Sequence, residues 1–220
     1  MKLMSLLENT GWFAGRSERL QQWILSNGRW MRVSAGTALF REGDQTVGMY
    51  GIEEGAVDIE FAPQGMDNLV TVRVGPGHWL GQSVLMPKML RPFNLVAAVD
   101  SHVFGLPRNS VRAILQDRPE FWPEFYELAL MQVIAMMSYL GEAQWLPPDA
   151  RIARQLLRLS VAEPVVELGQ VELVALTGMS HSNVRRALKT LTDAGIIHTR
   201  YRSIEVLDRA RLEGVSCQGK

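Results

Sequence analysis

A cluster of cationic and hydrogen-bonding side chains lies in the stretch TGMSHSNVRRALKTL, which runs from Thr177 to Leu191. Apolar residues recur at helical spacing along one face of this stretch, at Val184, Ala187, Leu188 and Leu191. The other face has no carboxylate between positions 181 and 189, and it carries His181, Ser182, Arg185, Arg186 and Lys189. A helix fits the major groove of DNA, where residues of its first turns reach base edges. The stretch therefore predicts a DNA-recognition helix.

Different tasks are expected for these residues. Arg186 has the geometry to pair with a guanine through two hydrogen bonds, while His181, Ser182 and Arg185 lie in the same first two turns. Lys189 and two arginines further along the chain, Arg200 and Arg202, are expected to hold phosphates, which add affinity without sequence information. The alternative is a helix used only for packing, with a solvated basic face.

The surrounding elements predict a winged helix-turn-helix. A helical pattern begins at Ala150, and a short second helix, VELVALTG, is closed by Gly178. Ser180 is placed to cap the recognition helix that follows. Strands at Ile196–Thr199 and Ile204–Leu207 are expected to form the wing, a hairpin about Tyr201-Arg202-Ser203.

The N-terminal half has the pattern of short strands. Val57, Ile59 and Phe61 alternate with Asp58 and Glu60, as in a half-buried strand, and similar runs are bounded by Gly and Pro. Many short strands at near-regular spacing favour a jelly-roll-like β-roll. The fold class expected for the whole chain is α+β.

A long apolar helix is predicted between these two parts. The run Phe125–Leu140 is shorter than the roughly 20 apolar residues of a membrane span and contains polar residues. Within and around this run, a set of residues recurs at alternating spacings of four and three positions. This seam is typical of a helix packing against a partner helix. The seam predicts a dimer interface at Tyr126, Ala129, Val133, Met136, Leu140 and Ala143. Because Pro147-Pro148 ends the helix, we expect a roll over 1–120, a dimerisation helix over 121–146 and a DNA-binding domain over 147–220.

Composition narrows the function classes. The 220 residues have a formal net charge of zero, yet residues 150–220 carry 11 Lys and Arg against 7 Asp and Glu. The single cysteine, Cys217, excludes an internal disulfide and a cysteine-rich zinc or iron–sulfur site. The N-terminus lacks the apolar core of a signal peptide, so we expect a cytoplasmic protein without membrane contact. No phosphate loop, HExxH or GxSxG motif is present, so an enzyme is not expected.

The chain resembles the CRP/FNR family of bacterial transcription regulators over nearly its full length. GTALFREGD, YGIEEGAVDIE and GPGHWLGQSVL are similar to the family's cyclic-nucleotide-binding β-roll. Residues 121–143 resemble its dimerisation helix, and VELVALTGMSHSNVRRALKTLTDAGII resembles its DNA-binding motif. The resemblance implies a homodimer whose recognition helices enter successive major grooves of a palindrome, contact with RNA polymerase, and a sensory N-terminal domain.

The resemblance places an effector pocket at Gly81, Gln82, Ser83, Arg91, Pro92, Met136 and Met137. In members that bind cAMP, a Gly-Glu pair binds the ribose and an Arg-Ser pair holds the phosphate, whereas here the pairs are Gly81-Gln82 and Arg91-Pro92. Proline offers an anion neither an N–H nor a hydroxyl. We therefore expect no response to cAMP. Arg91 is alternatively a structural residue, paired with an acid of the roll.

Several effectors remain open at this stage. Haem is one of them, because His78, His102, Met136 and Met137 are potential ligands. The others are a flexible acidic ligand, an unknown apolar molecule, and a roll that needs no ligand or is gated by another protein. A regulatory module that does not contact DNA is the alternative function. The sequence names neither the operator nor the effector, and it does not distinguish an activator from a repressor.

Overall fold

The computed structural model describes residues 5–62 and 70–217. Its contacts divide the chain into two compact units, one ending at Ile134 and the other beginning at Ala135. Strands dominate the first unit, and the second unit is mainly helical. The predicted α+β class, with a roll, a long helix and a winged helix-turn-helix, is confirmed.

Two four-stranded antiparallel sheets form the roll. The strands are β1 (Arg29–Val33), β2 (Ala38–Phe40), β3 (Gly48–Glu54), β4 (Val57–Phe61), β5 (Val70–Val74), β6 (Trp79–Leu80), β7 (Asn94–Ala97) and β8 (Ser101–Pro107). The strand order is β1-β8-β3-β6 in one sheet and β2-β7-β4-β5 in the other. The alternation in β4 sets its register with β5, so that Val57 faces Val74 and Asp58 faces Arg73. Val57 is buried, as period-2 patterning requires of the side that faces the core.

Within the described part of the first unit, four α-helices precede the long helix, and the strand patterns in the sequence did not predict them. They are α1 (Leu6–Asn9), α2 (Gly11–Ala14), α3 (Glu18–Asn27) and α4 (Arg108–Asp117). The carboxylate of Glu53, from β3, accepts hydrogen bonds from the backbone N–H groups of Leu6 and Leu7 at 3.0 and 2.8 Å. This distant side chain therefore supplies the N-terminal partners that so short a helix lacks.

The helix α5 (Trp122–Trp145) is 24 residues long, and the division between the units falls within it. In the first unit, Trp12 Nε1 donates to the carbonyl of Glu124 at 2.7 Å. Further along, Gln132 Nε2 donates to the carbonyl of Trp79 at 2.6 Å. These two bonds fix the early part of α5 against an aromatic core that includes Trp12, Phe13, Trp79 and Phe125.

The second unit contains the helix-turn-helix and its wing. Its remaining elements are α6 (Pro148–Leu159), β9 (Val165–Val166), α7 (Gln170–Thr177), α8 (His181–Asp193), β10 (Ile197–Arg200), β11 (Ser203–Val206) and α9 (Arg209–Ser216). The wing differs from its predicted bounds because Arg200 pairs with Ser203, which leaves only Tyr201 and Arg202 in the turn. So tight a turn forms because Arg202 adopts a positive φ of 54°.

The described residues contain neither a membrane-spanning helix nor a metal-binding group of side chains. No helix within residues 5–62 and 70–217 combines the length and the hydropathy that a membrane crossing requires. In the same residues, no three His, Cys, Asp or Glu side chains are grouped closely enough to hold a metal ion.

Candidate nucleic-acid interface and sensor site

A tight turn positions the helix α8. Gly178 ends α7 in the left-handed region at φ 62°, and its N–H donates to the carbonyl of Val174 at 2.9 Å. Ser180 then caps α8, because its hydroxyl accepts from the N–H of Asn183 at 3.3 Å. The turn therefore fixes where α8 begins and which of its faces points outward.

The apolar face of α8 is buried, as its spacing predicts. Val184, Ala187, Leu188 and Leu191 are all at most 3% exposed and belong to the core of the second unit. The five side chains of α8 that are predicted to meet DNA are all exposed: His181, Ser182, Arg185, Arg186 and Lys189. Burial of one face thus presents the five residues together on the other.

The three cations of α8 differ in their partners. Arg186 Nη2 donates to Asn183 Oδ1 at 2.9 Å. Lys189 Nζ lies 2.5 Å from a carboxylate oxygen of Asp193, one turn further along. Arg185 makes no hydrogen bond or ion pair with the described residues. The face is therefore free of acids up to Lys189, but an acid follows directly after it.

The wing presents a second cationic group. Tyr201 is 92% exposed at the tip, beside Arg202 in its left-handed conformation. Arg200 is exposed at the end of β10, and its Nη2 lies 2.8 Å from Glu205 of β11. Holding a residue other than glycine at positive φ costs about 1 kcal/mol of folding free energy. The tip therefore keeps a charged residue at a position where glycine would be more stable.

A cleft of about 630 Å³ separates the wing from the first turn of α7. Leu188 of α8 and Ile204 of β11 contribute to its lining, and Gln170 lies at its edge on α7. Arg200, Tyr201 and Arg202 line the side formed by the wing. The wing residues therefore border the cleft together with Leu188, from the buried face of the recognition helix.

The roll holds Gly81 in a conformation that only glycine readily adopts. Its φ is 100°, and a β-carbon there would lie 2.9 Å from the Gly48 carbonyl oxygen and 3.0 Å from Arg91 Nη1. Gly81 precedes a short 3-10 helix at Gln82–Leu85. The absence of a side chain is therefore what allows Arg91 to approach this turn.

Arg91 is 1% exposed and directs its guanidinium group at the protein itself. Its Nη1 donates to the carbonyl of Gly81 at 3.1 Å and to the hydroxyl of Ser83 at 3.0 Å, and its Nη2 donates to the carbonyl of Gly48. The guanidinium also lies 4.0 Å from the centre of the Phe40 ring. Burial lowers the pKa of Arg91, and the nearby Tyr50 and Asp44 act in the opposite direction.

The sequence left open an ion pair between Arg91 and an acid, and the structure corrects that alternative. No carboxylate of the described residues forms a salt bridge with Arg91, whose buried Nε has no partner. Arg91 is therefore held by two backbone oxygens, the Ser83 hydroxyl and an aromatic ring, without a direct ion pair to a described carboxylate.

The other predicted pocket residues lie in different settings. Gln82 and Ser83 are half-buried in the 3-10 helix, and Pro92 is exposed. Met136 and Met137 belong to the second unit, where they are 43% and 68% exposed on α5. The structure thus brings Gly81 and Ser83 to Arg91.

Sequence reasoning missed three residues at Arg91: Gly48, Phe40 and Tyr50. Phe40 and Tyr50 lie with their ring centres 6.1 Å apart, and burial raises the pKa of Tyr50. Gly48 contributes only its carbonyl, which carries no signature in a sequence. An aromatic residue in a short strand reads as ordinary core, so the sequence does not mark Phe40 or Tyr50 either.

The predicted seam of α5 is uncovered in the single chain. Tyr126, Val133, Met136, Leu140 and Ala143 are exposed, and Ala129 is half-buried. Other large apolar side chains of this helix are exposed as well, among them Leu130, Met131, Ile134 and Met137. An exposed apolar strip of this length is typical of an interaction surface.

The end of α5 is fastened to α6. Glu142 is 8% exposed, and its Oε1 accepts from Arg154 Nη1 at 3.1 Å and also from Arg158 Nη2. The guanidinium of Arg158 lies 4.2 Å from the ring centre of Tyr139. We call these four residues the α5–α6 clasp.

The two histidines considered as haem ligands have structural contacts. His78 Nδ1 lies 3.0 Å from the carbonyl of Gly75 within its turn. His102 stacks against Trp30 with ring centres 4.9 Å apart.

Two protein families match the chain. Residues 30–118 match the Cyclic nucleotide-binding domain, and residues 150–215 match the Crp-like helix-turn-helix domain. A CRP-like cAMP-activated global transcriptional regulator of Mycobacterium tuberculosis is 25% identical over 187 residues, covering 80% of this chain and 83% of that protein. Transcriptional regulator LdrP of Thermus thermophilus is 28% identical over 193 residues, covering 83% and 94%.

Solved structures share the fold. A CRP-family transcriptional regulator of Thermus thermophilus has a TM-score of 0.68 and 25% identity, with 86% of this chain and 97% of that chain covered. FixK2 of Bradyrhizobium japonicum has a TM-score of 0.72 at 16% identity, with 88% and 99% covered.

Proposed function

Because this chain is a transcription regulator of the CRP/FNR family, we propose that it binds a palindromic operator in double-stranded DNA as a homodimer. The two matched domains are a cyclic nucleotide-binding domain and a helix-turn-helix domain, and the two relatives named above are transcription regulators and not enzymes. The single observation that carries the proposal is the outward face of α8, where five exposed polar side chains lie opposite a fully buried apolar face.

The roles of the interface residues follow from their geometry. Arg186 reads a base edge, and His181, Ser182 and Arg185 lie beside it in the first two turns of α8. Lys189, Arg200 and Arg202 bind phosphates. Lys189 must share its charge between Asp193 and a phosphate, which costs little because both side chains of that pair are exposed.

The dimer is proposed to form along α5. Burial of the exposed seam against a symmetry mate would remove apolar side chains from water and place two copies of α8 for successive major grooves. At a promoter the bound dimer would contact RNA polymerase, as the family resemblance implies.

The roll is proposed to act as a sensor that does not use cAMP. The support is the position of Arg91, whose guanidinium is committed to Gly48, Gly81 and Ser83. Pro92, the next residue, adds no donor for a phosphate. The relatives named for cAMP differ from this chain at three quarters of their aligned positions, so their ligand does not transfer to it.

Mobility shift with random and genomic DNA fragments tests DNA binding. Arg186→Ala should cost roughly 1–3 kcal/mol on the preferred site and relax one base position. Lys189→Ala should weaken all sequences alike and lower the salt slope by about one unit. Equal loss on specific and random DNA for Arg186→Ala would remove Arg186 from base reading. The absence of any shift would favour a regulatory module that does not contact DNA.

Calorimetry with cAMP and with cGMP tests the sensor. We expect no heat of binding at micromolar ligand. A dissociation constant of about 1 μM, which corresponds to roughly −8 kcal/mol, would contradict the proposal and show that the roll reaches a cyclic nucleotide through other contacts.

A further inference from the structure

The side chain of Asn183 faces the guanidinium group of Arg186 on α8. Its Oδ1 accepts from Arg186 Nη2 at 2.9 Å. An amide nitrogen in that place would oppose one donor with another, so the chemistry requires the oxygen to face Arg186. We propose that Asn183 is a positioning residue that holds Arg186 in the orientation for reading a base, an inference that rests on the proposed DNA binding.

The backbone of Asn183 is fixed before the side chain acts. It is the third residue of α8, and its N–H is held by the hydroxyl of the cap, Ser180. Asn183 is half-buried, whereas Arg186 is exposed. The short side chain of Asn183 thus ties the long, rotatable side chain of Arg186 to the capped first turn. Replacing Asn183 by alanine leaves the cap intact, because the Ser180 hydroxyl binds only the backbone N–H of Asn183.

The bond to Asn183 leaves Arg186 able to read a guanine. A guanidinium group has two edges with two donors each, one formed by Nε and Nη2 and the other by Nη1 and Nη2. A single Nη2 proton belongs to only one of these edges. The other edge remains complete for the two acceptors of a guanine in the major groove.

Asn183 is also a neutral partner, which separates Arg186 from the other cations of the helix. Lys189 is paired with a carboxylate, and Arg185 makes no hydrogen bond or ion pair with the described residues. Of the three cations, only Arg186 is oriented by a neutral partner, so its positive charge is not offset by a carboxylate. This combination favours a residue that must reach one base edge, because ordering the side chain beforehand reduces the entropy lost on binding.

Selection from a DNA pool with randomised half-sites tests the proposal. The wild type, Asn183→Ala, Arg186→Ala and the double variant are compared by the base preferences of the bound DNA. We expect Asn183→Ala to weaken discrimination about two- to tenfold, at the same base position that Arg186→Ala relaxes. The double variant should be no worse there than Arg186→Ala. Asn183→Asp keeps the acceptor and should retain the preference, with weaker overall affinity from its negative charge.

Thr190→Ala is the matched control, because the Thr190 hydroxyl binds the backbone carbonyl of Arg186 and not its guanidinium. Its base preferences should equal those of the wild type. A change at a different base position for Asn183→Ala would show that Asn183 reads a base itself and would overturn the proposal, as would unchanged preferences. If the wild type enriches no sequence at all, the proposed function fails together with this inference.

Discussion

Glu142 and Arg154 are joined by an ion pair across the Pro147–Pro148 break, with Oε1 and Nη1 3.1 Å apart. Arg158 binds the same oxygen, so two cations of α6 share one nearly buried carboxylate of α5. The two prolines interrupt the helix, and these two ion pairs bridge the interruption. The end of α5 and the start of the DNA-binding region therefore form one body.

Glu142→Gln should loosen this clasp. The substitution keeps the volume but removes the charge that two arginines share, and both arginines are partly exposed, so we expect a loss of about 1–2 kcal/mol in the free energy of unfolding. Urea denaturation measures it. Glu213→Gln is the control, since Glu213 pairs with Arg209 on an exposed helix surface, and its effect should be close to zero. Equal effects of the two variants would show that the clasp adds nothing.

Arg91→Ala should destabilise the roll. The change removes the Arg91 donor from the buried carbonyl of Gly48, and an unsatisfied buried polar group costs about 1–3 kcal/mol. The carbonyl of Gly81 also loses Arg91 but keeps the N–H of Val84 at 3.2 Å. We expect a drop in the unfolding midpoint without any added ligand. Arg112→Ala, at an exposed position on α4, should leave the midpoint unchanged. A stable Arg91→Ala variant would instead assign Arg91 to ligand binding alone.

Arg202→Gly should make the protein more stable and a weaker DNA binder. Glycine adopts a φ of 54° without the steric cost that Arg202 bears, so the free energy of unfolding should rise by about 0.5–1 kcal/mol. Loss of the charge should lower the salt slope of DNA binding by about one unit. Arg202→Ala separates the two effects, because it loses the charge and keeps the strain. A Gly variant that binds DNA as the wild type does would remove the wing tip from the interface.

Val133→Glu should prevent dimerisation. The side chain is 55% exposed on the seam, and two such charges would meet at a two-fold interface without partners. Light scattering should report monomers, and specific DNA binding should fall with them. Met131→Glu is the control. Met131 is also exposed, but it is not one of the seam residues, which follow one another at alternating spacings of three and four positions. A dimeric Val133→Glu variant would place the interface elsewhere.

The sequence predicted best where one local rule decides the structure. The recognition helix follows from a period of 3.6 in its apolar residues, a serine cap and a glycine before it, and all three occur as expected. The long helix likewise follows from an apolar run that ends at two prolines. In these places the local pattern and the tertiary packing agree.

Contacts between distant residues account for what the sequence did not predict. The helix α1 depends on the carboxylate of Glu53, which is 46 positions beyond Leu7. Two of the three hydrogen bonds of Arg91 go to backbone oxygens, and any residue type supplies those. Asn183 was passed over because a polar residue in a first helical turn reads as ordinary surface, and only the coordinates show it facing Arg186.

If the apolar side chains uncovered along α5 pair two chains as proposed, the abundance of this protein becomes a regulatory input. If only the paired chain presents two recognition helices, dimer abundance rises with the square of the chain concentration whenever most chains are single. Halving the chain concentration would then lower the occupancy of an unsaturated operator about fourfold. Gene dosage and turnover would therefore set the output even when the roll holds no molecule.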